Sequence, residues 1–199
     1  LLRRGETTIS PSGPILICSR NNDLQTIIDF IPTERHSDLI FIQNGMLQTW
    51  LSENQLQTAT QALLYVAVSK IGDEPVDGGR SVVTGKHAPT LCLLMQSLAL
   101  SCQEIGAEDF LKEMVEKFLW NCSFGLLSQH FNLSVGDIIA KQSDISRALI
   151  LEQLNICQNA LSLSFSSMET ESMIQRLFDY SLSISNYRGA VKEWPWRNG

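Results

Sequence analysis

The segment EKFLWNCSFGLLSQH, Glu116 to His130, sets Lys117 and Asn121 four residues apart. At 3.6 residues per turn the two stand on one face of a helix, about 6 Å apart along its axis. Phe118, Leu119, Trp120, Phe124, Leu126 and Leu127 make the rest of that helix broadly apolar. A polar pair on such a surface is either satisfied in place or working. In the first case Lys117 pairs with Glu113 one turn earlier, an exposed ion pair of about 0.3–0.5 kcal/mol, and Asn121 bonds a nearby backbone carbonyl. In the second, a proton-bearing cation and an uncharged amide face one ligand. Other reactive side chains are less suggestively spaced. Cys122 has no histidine placed to activate it, and neither His87 nor His130 has a carboxylate at a telling distance. Asn44-Gly45, taken alone, is a turn.

The elements that must position the pair fall into two kinds. In the first half, ILICS (Ile15–Ser19) and DLIFIQNG (Asp38–Gly45) are continuous apolar runs of the sort found in strands buried on both faces. The segments DLQTIIDFI and MLQTWLSENQLQTA between and after them are helical by period. LLYVAV (Leu63–Val68) and SVVTG (Ser81–Gly85) are strands joined by the hairpin-type loop KIGDEPVDGGR. Strand–helix–strand–helix–strand implies parallel pairing with right-handed crossovers. From about Ala88 onward no strand is expected. Four segments are helical by period, and Ser134-x-x-Asp137 resembles a capping box that opens a further short helix. The fold class is therefore α/β plus all-α: a partial Rossmann-type domain over 1–86 and an all-helical domain over 87–199.

Composition narrows the function. The net charge of −6 and the pI near 5.0 argue against a nucleic-acid surface. The longest apolar region, HAPTLCLLMQSLALSC, is interrupted by His87, Gln96 and Ser97 and is too short to span a bilayer. Cys18, Cys92, Cys102, Cys122 and Cys157 are odd in number and form no C-x-x-C pair. This predicts reduced thiols in a cytoplasmic setting and no structural metal. The sequence lacks an initiator methionine, which suggests numbering that starts inside a longer protein.

TGKHAPTLCLLMQSLAL, EDFLKEMVEKFLWNCSFGLL and LSVGDI, preceded by IFIQNGM and followed by KEWPWRNG, together resemble the ketopantoate reductase family. The resemblance is strongest at Gln43–Met46, Gly85–Ala88, Glu116–Cys122 and Glu193–Gly199. It implies a Rossmann domain, a helical domain of the 6-phosphogluconate dehydrogenase type, and hydride transfer from NADPH to a small 2-keto acid. By that resemblance Lys117 is the proton donor and Asn121 the substrate-orienting amide, both facing a cleft between the two halves. Negative charge that grows on the ketone oxygen would be met by a partly desolvated ammonium whose pKa burial has lowered. Asn44 corresponds to a strand-end asparagine near nicotinamide and substrate. Arg20 stands where the family has a cofactor-side lysine, which keeps the charge but changes its geometry. Glu193 matches the acidic residue that holds the substrate hydroxyl. Ser181, Ser183 and Ser185 are candidates for a substrate-binding serine, and spacing favours Ser181.

Three departures from the family bear on activity. Gly125 replaces a second asparagine one turn beyond Asn121. No G-x-G-x-x-G follows a first strand, although that loop seats a dinucleotide pyrophosphate. The chain ends within what resembles the opening of a further helix. Two outcomes therefore stay open: a 2-keto acid reductase, inactive in truncated form, or a non-catalytic interaction protein that reuses the helical domain to dimerise. In a 3-2-1-4-5-6 sheet ILICS would be the fourth strand. Without the first three it is expected at an edge, prone to self-association.

Overall fold

The computed structural model describes residues 10–67 and 74–188. They form two compact units that divide between Phe110 and Leu111.

In the first unit β1 (Ile15–Ile17), α1 (Leu24–Phe30), β2 (Leu39–Phe41), α2 (Gln48–Glu53) and β3 (Thr60–Leu63) alternate, and the three strands pair in parallel. β2 shows why such a run must be apolar throughout. Leu39 and Phe41 enter one cluster with Ile17, Leu24, Ile28 and Leu51, whereas Ile40 enters another with Ala62, Val83, Ala88 and Leu91. Successive strand residues point to opposite faces, and here helices cover both. Asp38 pins the entry to β2: it accepts hydrogen bonds from Lys86 (2.8 Å), Arg35 (2.8 Å) and His87 (3.1 Å). These partners, Lys86 first, hold its carboxyl well below the usual carboxylate range.

Two sequence expectations need correction. The third strand starts at Thr60, not Leu63, and ends early because Tyr65 leaves the ladder. Its N–H donates to the Ser81 hydroxyl (3.0 Å) and its carbonyl accepts from Gly78 N–H (2.7 Å). Val66–Ala67 (β4) then pairs separately with Val76–Asp77 (β5). β6 (Val82–Thr84) returns antiparallel to β3, as a hairpin requires. Gly85 ends it at φ +105°, where a Cβ would lie 2.8 Å from the Thr60 Cα, so only glycine fits. The second correction concerns strands after Ala88. α3 (Ala88–Ser97) packs Leu91 and Met95 on the sheet, and Gln103–Glu104 (β7) then adds parallel to β6. The sheet, in order β1-β2-β3-β6-β7, therefore continues past position 86, and the compact unit continues with it. β1 lies at one edge: among the described residues it pairs only with β2, and Leu16 is 38% exposed.

The second unit is built on α4 (Ala107–Phe131), α5 (Val135–Leu161) and α6 (Ser167–Ser183), with the division falling in the first turn of α4. Ser134 caps α5 by accepting from Asp137 N–H, and the stretch it opens, residues 135–141, is short, as the sequence suggests. The chain bends at Gln142 (φ −138°), where the Ser146 hydroxyl takes the Gln142 carbonyl at 2.8 Å, and helix resumes beyond. α6 opens with a full capping box between Ser166 and Glu169.

Candidate active site

In the first unit a cluster of polar residues gathers at the carboxyl ends of β1 and β2. Open parallel sheets present ligand-binding loops at that end. Gln43, buried just past β2, donates through Nε2 to the Ile17 carbonyl (2.8 Å) and the Ser19 carbonyl (3.2 Å). Asn21 Nδ2 donates to the Asn44 carbonyl at 3.1 Å. These bonds tie the loop after β1 to the loop after β2, so Arg20 and Asn44 belong to one cluster. Both are exposed. Gly45 turns the chain at φ +100°, which frees Asn44 to stand at the strand end. Among the described residues Gln43 Oε1 is buried with no hydrogen-bond partner, an acceptor left open beside the two loops. Sequence reasoning read Asn44 and passed over Gln43. The signal was a polar residue closing the buried run IFIQ.

The second unit carries Lys117 and Asn121 on α4, one turn apart as the spacing predicts, both half-buried. Burial lowers the Lys117 pKa from its ordinary 10.5 to about 8. Among the described residues the Asn121 side chain makes no hydrogen bond, in keeping with a group available to a ligand. The neighbouring face of α4 is structural. Glu116 is 2% exposed and takes Arg176 Nη2 at 2.7 Å and Nε at 3.2 Å. Trp120 Nε1 donates to the Ser181 hydroxyl at 2.9 Å, and that hydroxyl donates to the Leu177 carbonyl at 2.8 Å. Trp120 also packs against Phe124, Tyr180 and Tyr187. Two packed helices, α4 and α6, thereby fix the rotation of α4 and with it the direction in which Lys117 projects.

Ser181 is fully buried and holds Trp120, while Ser183 is exposed and donates to the Tyr180 carbonyl. Ser181→Ala is expected to cost about 2 kcal/mol in a urea titration, because it strands a buried indole N–H. A substrate contact alone would raise KM and leave the unfolding midpoint where it was. Glu193 lies outside the described residues. Glu116 was missed, although it stands four residues before Trp120 and eight before Phe124, on the core-facing ladder. Among the described residues no cluster of His, Cys, Asp and Glu could hold a metal ion, and no helix is long and apolar enough to cross a membrane.

No protein-family model matches the chain, and no curated protein does. Solved structures do. A dimeric ketopantoate reductase from Staphylococcus aureus is 18% identical, with a TM-score of 0.61 over 88% of this chain and 65% of that one. A 2-dehydropantoate 2-reductase from Geobacter metallireducens GS-15 is 17% identical, with a TM-score of 0.66 over 94% and 67%. A D-mandelate dehydrogenase in a ternary structure with NADH and anilino(oxo)acetate is 10% identical, with a TM-score of 0.58 over 94% and 64%. The chain spans about two thirds of the length of each. It has the fold of the ketopantoate reductases: a mostly parallel sheet followed by a helical region.

Proposed function

We propose that the protein is a reductase of small 2-keto acids that uses a nicotinamide cofactor, NADPH by the family pattern, with Lys117 as general acid. The observation that carries this reading is a half-buried lysine whose pKa burial has brought down to about 8, one turn before an amide with no described partner. When bound, the cofactor supplies the hydride that adds to the ketone carbon. As charge grows on the ketone oxygen, the Lys117 ammonium stabilises it and transfers one proton, leaving a hydroxyl and a neutral amine that solvent reprotonates. Asn121 orients the keto acid, and Glu193 holds the new hydroxyl. On the cofactor side, Arg20 offers a cation to phosphate and Asn44 an amide to the nicotinamide end. Gln43 Oε1, an orphaned acceptor in the same cluster, is consistent with a donor-bearing ligand there. Ser181 serves by holding Trp120 rather than by touching substrate. A cytoplasmic location goes with this chemistry.

The test is NADPH consumption by the full-length protein with ketopantoate and other short 2-keto acids. A general acid must enter protonated. The expected kcat/KM is flat below about pH 8 and falls tenfold per pH unit above it, following the Lys117 value. A flat profile to pH 10 in an active enzyme would assign the proton to another group.

A second reading, a non-catalytic dimerisation protein, draws on exposed Leu126, Ile145 and Ile156 of α4 and α5 and on the dimeric Staphylococcus enzyme. The exposed edge of β1 offers a further route to self-association. A stable dimer in sedimentation that binds no NADPH would favour it over the reductase.

A further inference from the structure

We propose that Ser128 is a further substrate-binding residue, one that selects 2-keto acids carrying a hydroxyl at their far end. This deepens the reductase reading and rests on it. The observation is a hydroxyl out of keeping with others of its kind. Among the described residues Ser128 is 5% exposed, and its Oγ has no hydrogen-bond partner. The other buried serines are all satisfied. Ser81 accepts from Tyr65 N–H, and Ser123 donates to Gln153 Oε1. Ser146 and Ser181 donate to the carbonyls of Gln142 and Leu177, each four residues earlier, the usual resort of a serine inside a helix. Ser128 does not take the corresponding carbonyl, that of Phe124. A buried hydroxyl left unbonded is costly, so it calls for a reason.

Its place on α4 supplies one. Lys117, Asn121, Gly125 and Ser128 follow one another at intervals of four, four and three residues. Around the helix axis Ser128 stands about 20° from Lys117 and about 20° from Asn121. The three polar side chains therefore share one line of the helix, the first two half-buried and the last buried. Helical side chains lean towards the preceding turn. Ser128 thus leans over the patch of Gly125, which has no side chain of its own to cover it.

The spacing sets the length of the ligand. Asn121 and Ser128 are about 10 Å apart along the axis. With about 3 Å for a hydrogen bond at each end, a ligand that touches both spans about 5–10 Å between its own polar atoms. An extended chain advances about 1.2 Å per bond, so roughly four to eight bonds separate those atoms. The chemistry of the far group follows from burial. A second carboxylate set against a lone hydroxyl would lose more in desolvation than the bond returns, whereas a substrate hydroxyl is donor and acceptor at once, as serine is. A six-carbon 2-keto acid with a terminal hydroxyl fits: its keto and hydroxyl oxygens lie about 7 Å apart when extended.

The test offers the full-length protein and its Ser128→Ala variant three substrates with NADPH in excess: ketopantoate, 6-hydroxy-2-oxohexanoate, and 2-oxoheptanoate, in which a methyl replaces the terminal hydroxyl. The parent should turn over the hydroxy acid with kcat/KM about three- to tenfold above its isostere, the worth of one neutral hydrogen bond. Ser128→Ala should lose that preference, with the hydroxy acid falling about three- to tenfold and 2-oxoheptanoate unchanged or improved. Its urea midpoint should be unchanged or raised, because alanine removes a hydroxyl that bonds nothing in the fold. A parent without the preference, a preference that survives in the variant, an equal loss for both longer acids, or a lowered midpoint would each overturn the proposal. Turnover of ketopantoate but of neither longer acid would overturn it and leave the reductase reading standing. No turnover of any of the three would overturn that reading and this proposal with it.

Discussion

Replacing Lys117 by methionine is expected to remove most turnover and, at pH 7, to stabilise the fold. The two effects have one cause. A general acid contributes about 10²–10⁴ in rate, so the variant should lose at least a hundredfold in kcat. The stability gain follows from linkage. In the folded protein Lys117 titrates at about 8, against an ordinary 10.5, because burial disfavours its charge. The folded state therefore sheds the proton before the unfolded state does. Below about pH 8 both states carry it, and the full cost of burying the ammonium is present. That cost shrinks as pH rises from about 8 to 10.5 and vanishes above. The gap is worth up to about 3 kcal/mol, and methionine fills similar volume without charge. Urea titrations at pH 7 should show the variant more stable by one to a few kcal/mol, with the difference closing by about pH 10.5. A variant that is inactive yet no more stable would mean that the ammonium is well compensated in the folded state. One that is more stable and fully active would remove Lys117 from the chemistry.

The same residue shows how much of the molecule could be read beforehand. A spacing of four residues was enough to put Lys117 and Asn121 on one face, because helix geometry alone decides it. The apolar run at Leu39–Phe41 revealed a strand covered on both faces, since a half-exposed strand would have alternated. The weak elements were hidden for a physical reason. β7 is two exposed residues, Gln103 and Glu104, with no apolar pattern of its own. It exists because the turn after α3, closed by Leu98 and Leu100 N–H on the Met95 carbonyl, leads Gln103 to the edge of β6, where its N–H donates to the Ser81 carbonyl. The early end of β3 rests likewise on two contacts of Tyr65, with the Ser81 hydroxyl and the Gly78 N–H, across a loop of more than a dozen residues. Ser181 illustrates the limit of position matching. Spacing singled it out, but its environment is decided by Trp120 across the α4–α6 packing, which no local pattern reports. Glu116 was legible as a core-ladder position and illegible as a charge, because its partner Arg176 is sixty residues away.

That partner is the subject of the second large effect. Arg176→Met should cost about 3 kcal/mol, because it leaves the Glu116 carboxylate buried and deprived of its guanidinium. The reverse change, Glu116→Met, should cost less. The Arg176 side chain is 46% exposed and can return its charge to water, whereas Glu116 at 2% cannot. The double variant Glu116→Met/Arg176→Met should then recover to within about 1 kcal/mol of the parent, since an apolar pair of similar volume replaces a buried ion pair at little net cost. Ordering single and double variants by urea titration separates a desolvation penalty from a packing loss. Under packing loss the double variant would be at least as unstable as Arg176→Met. The pair also bears on activity through rotation rather than charge. Glu116 and Lys117 are adjacent on α4 and so about 100° apart around its axis. Whatever anchors the one against α6 directs the other. With Trp120 and Ser181 still in place, the double variant should keep that direction and hence kcat within a few-fold. A loss as deep as that of Lys117→Met would assign the Glu116 carboxylate a direct part in setting the proton affinity of its neighbour.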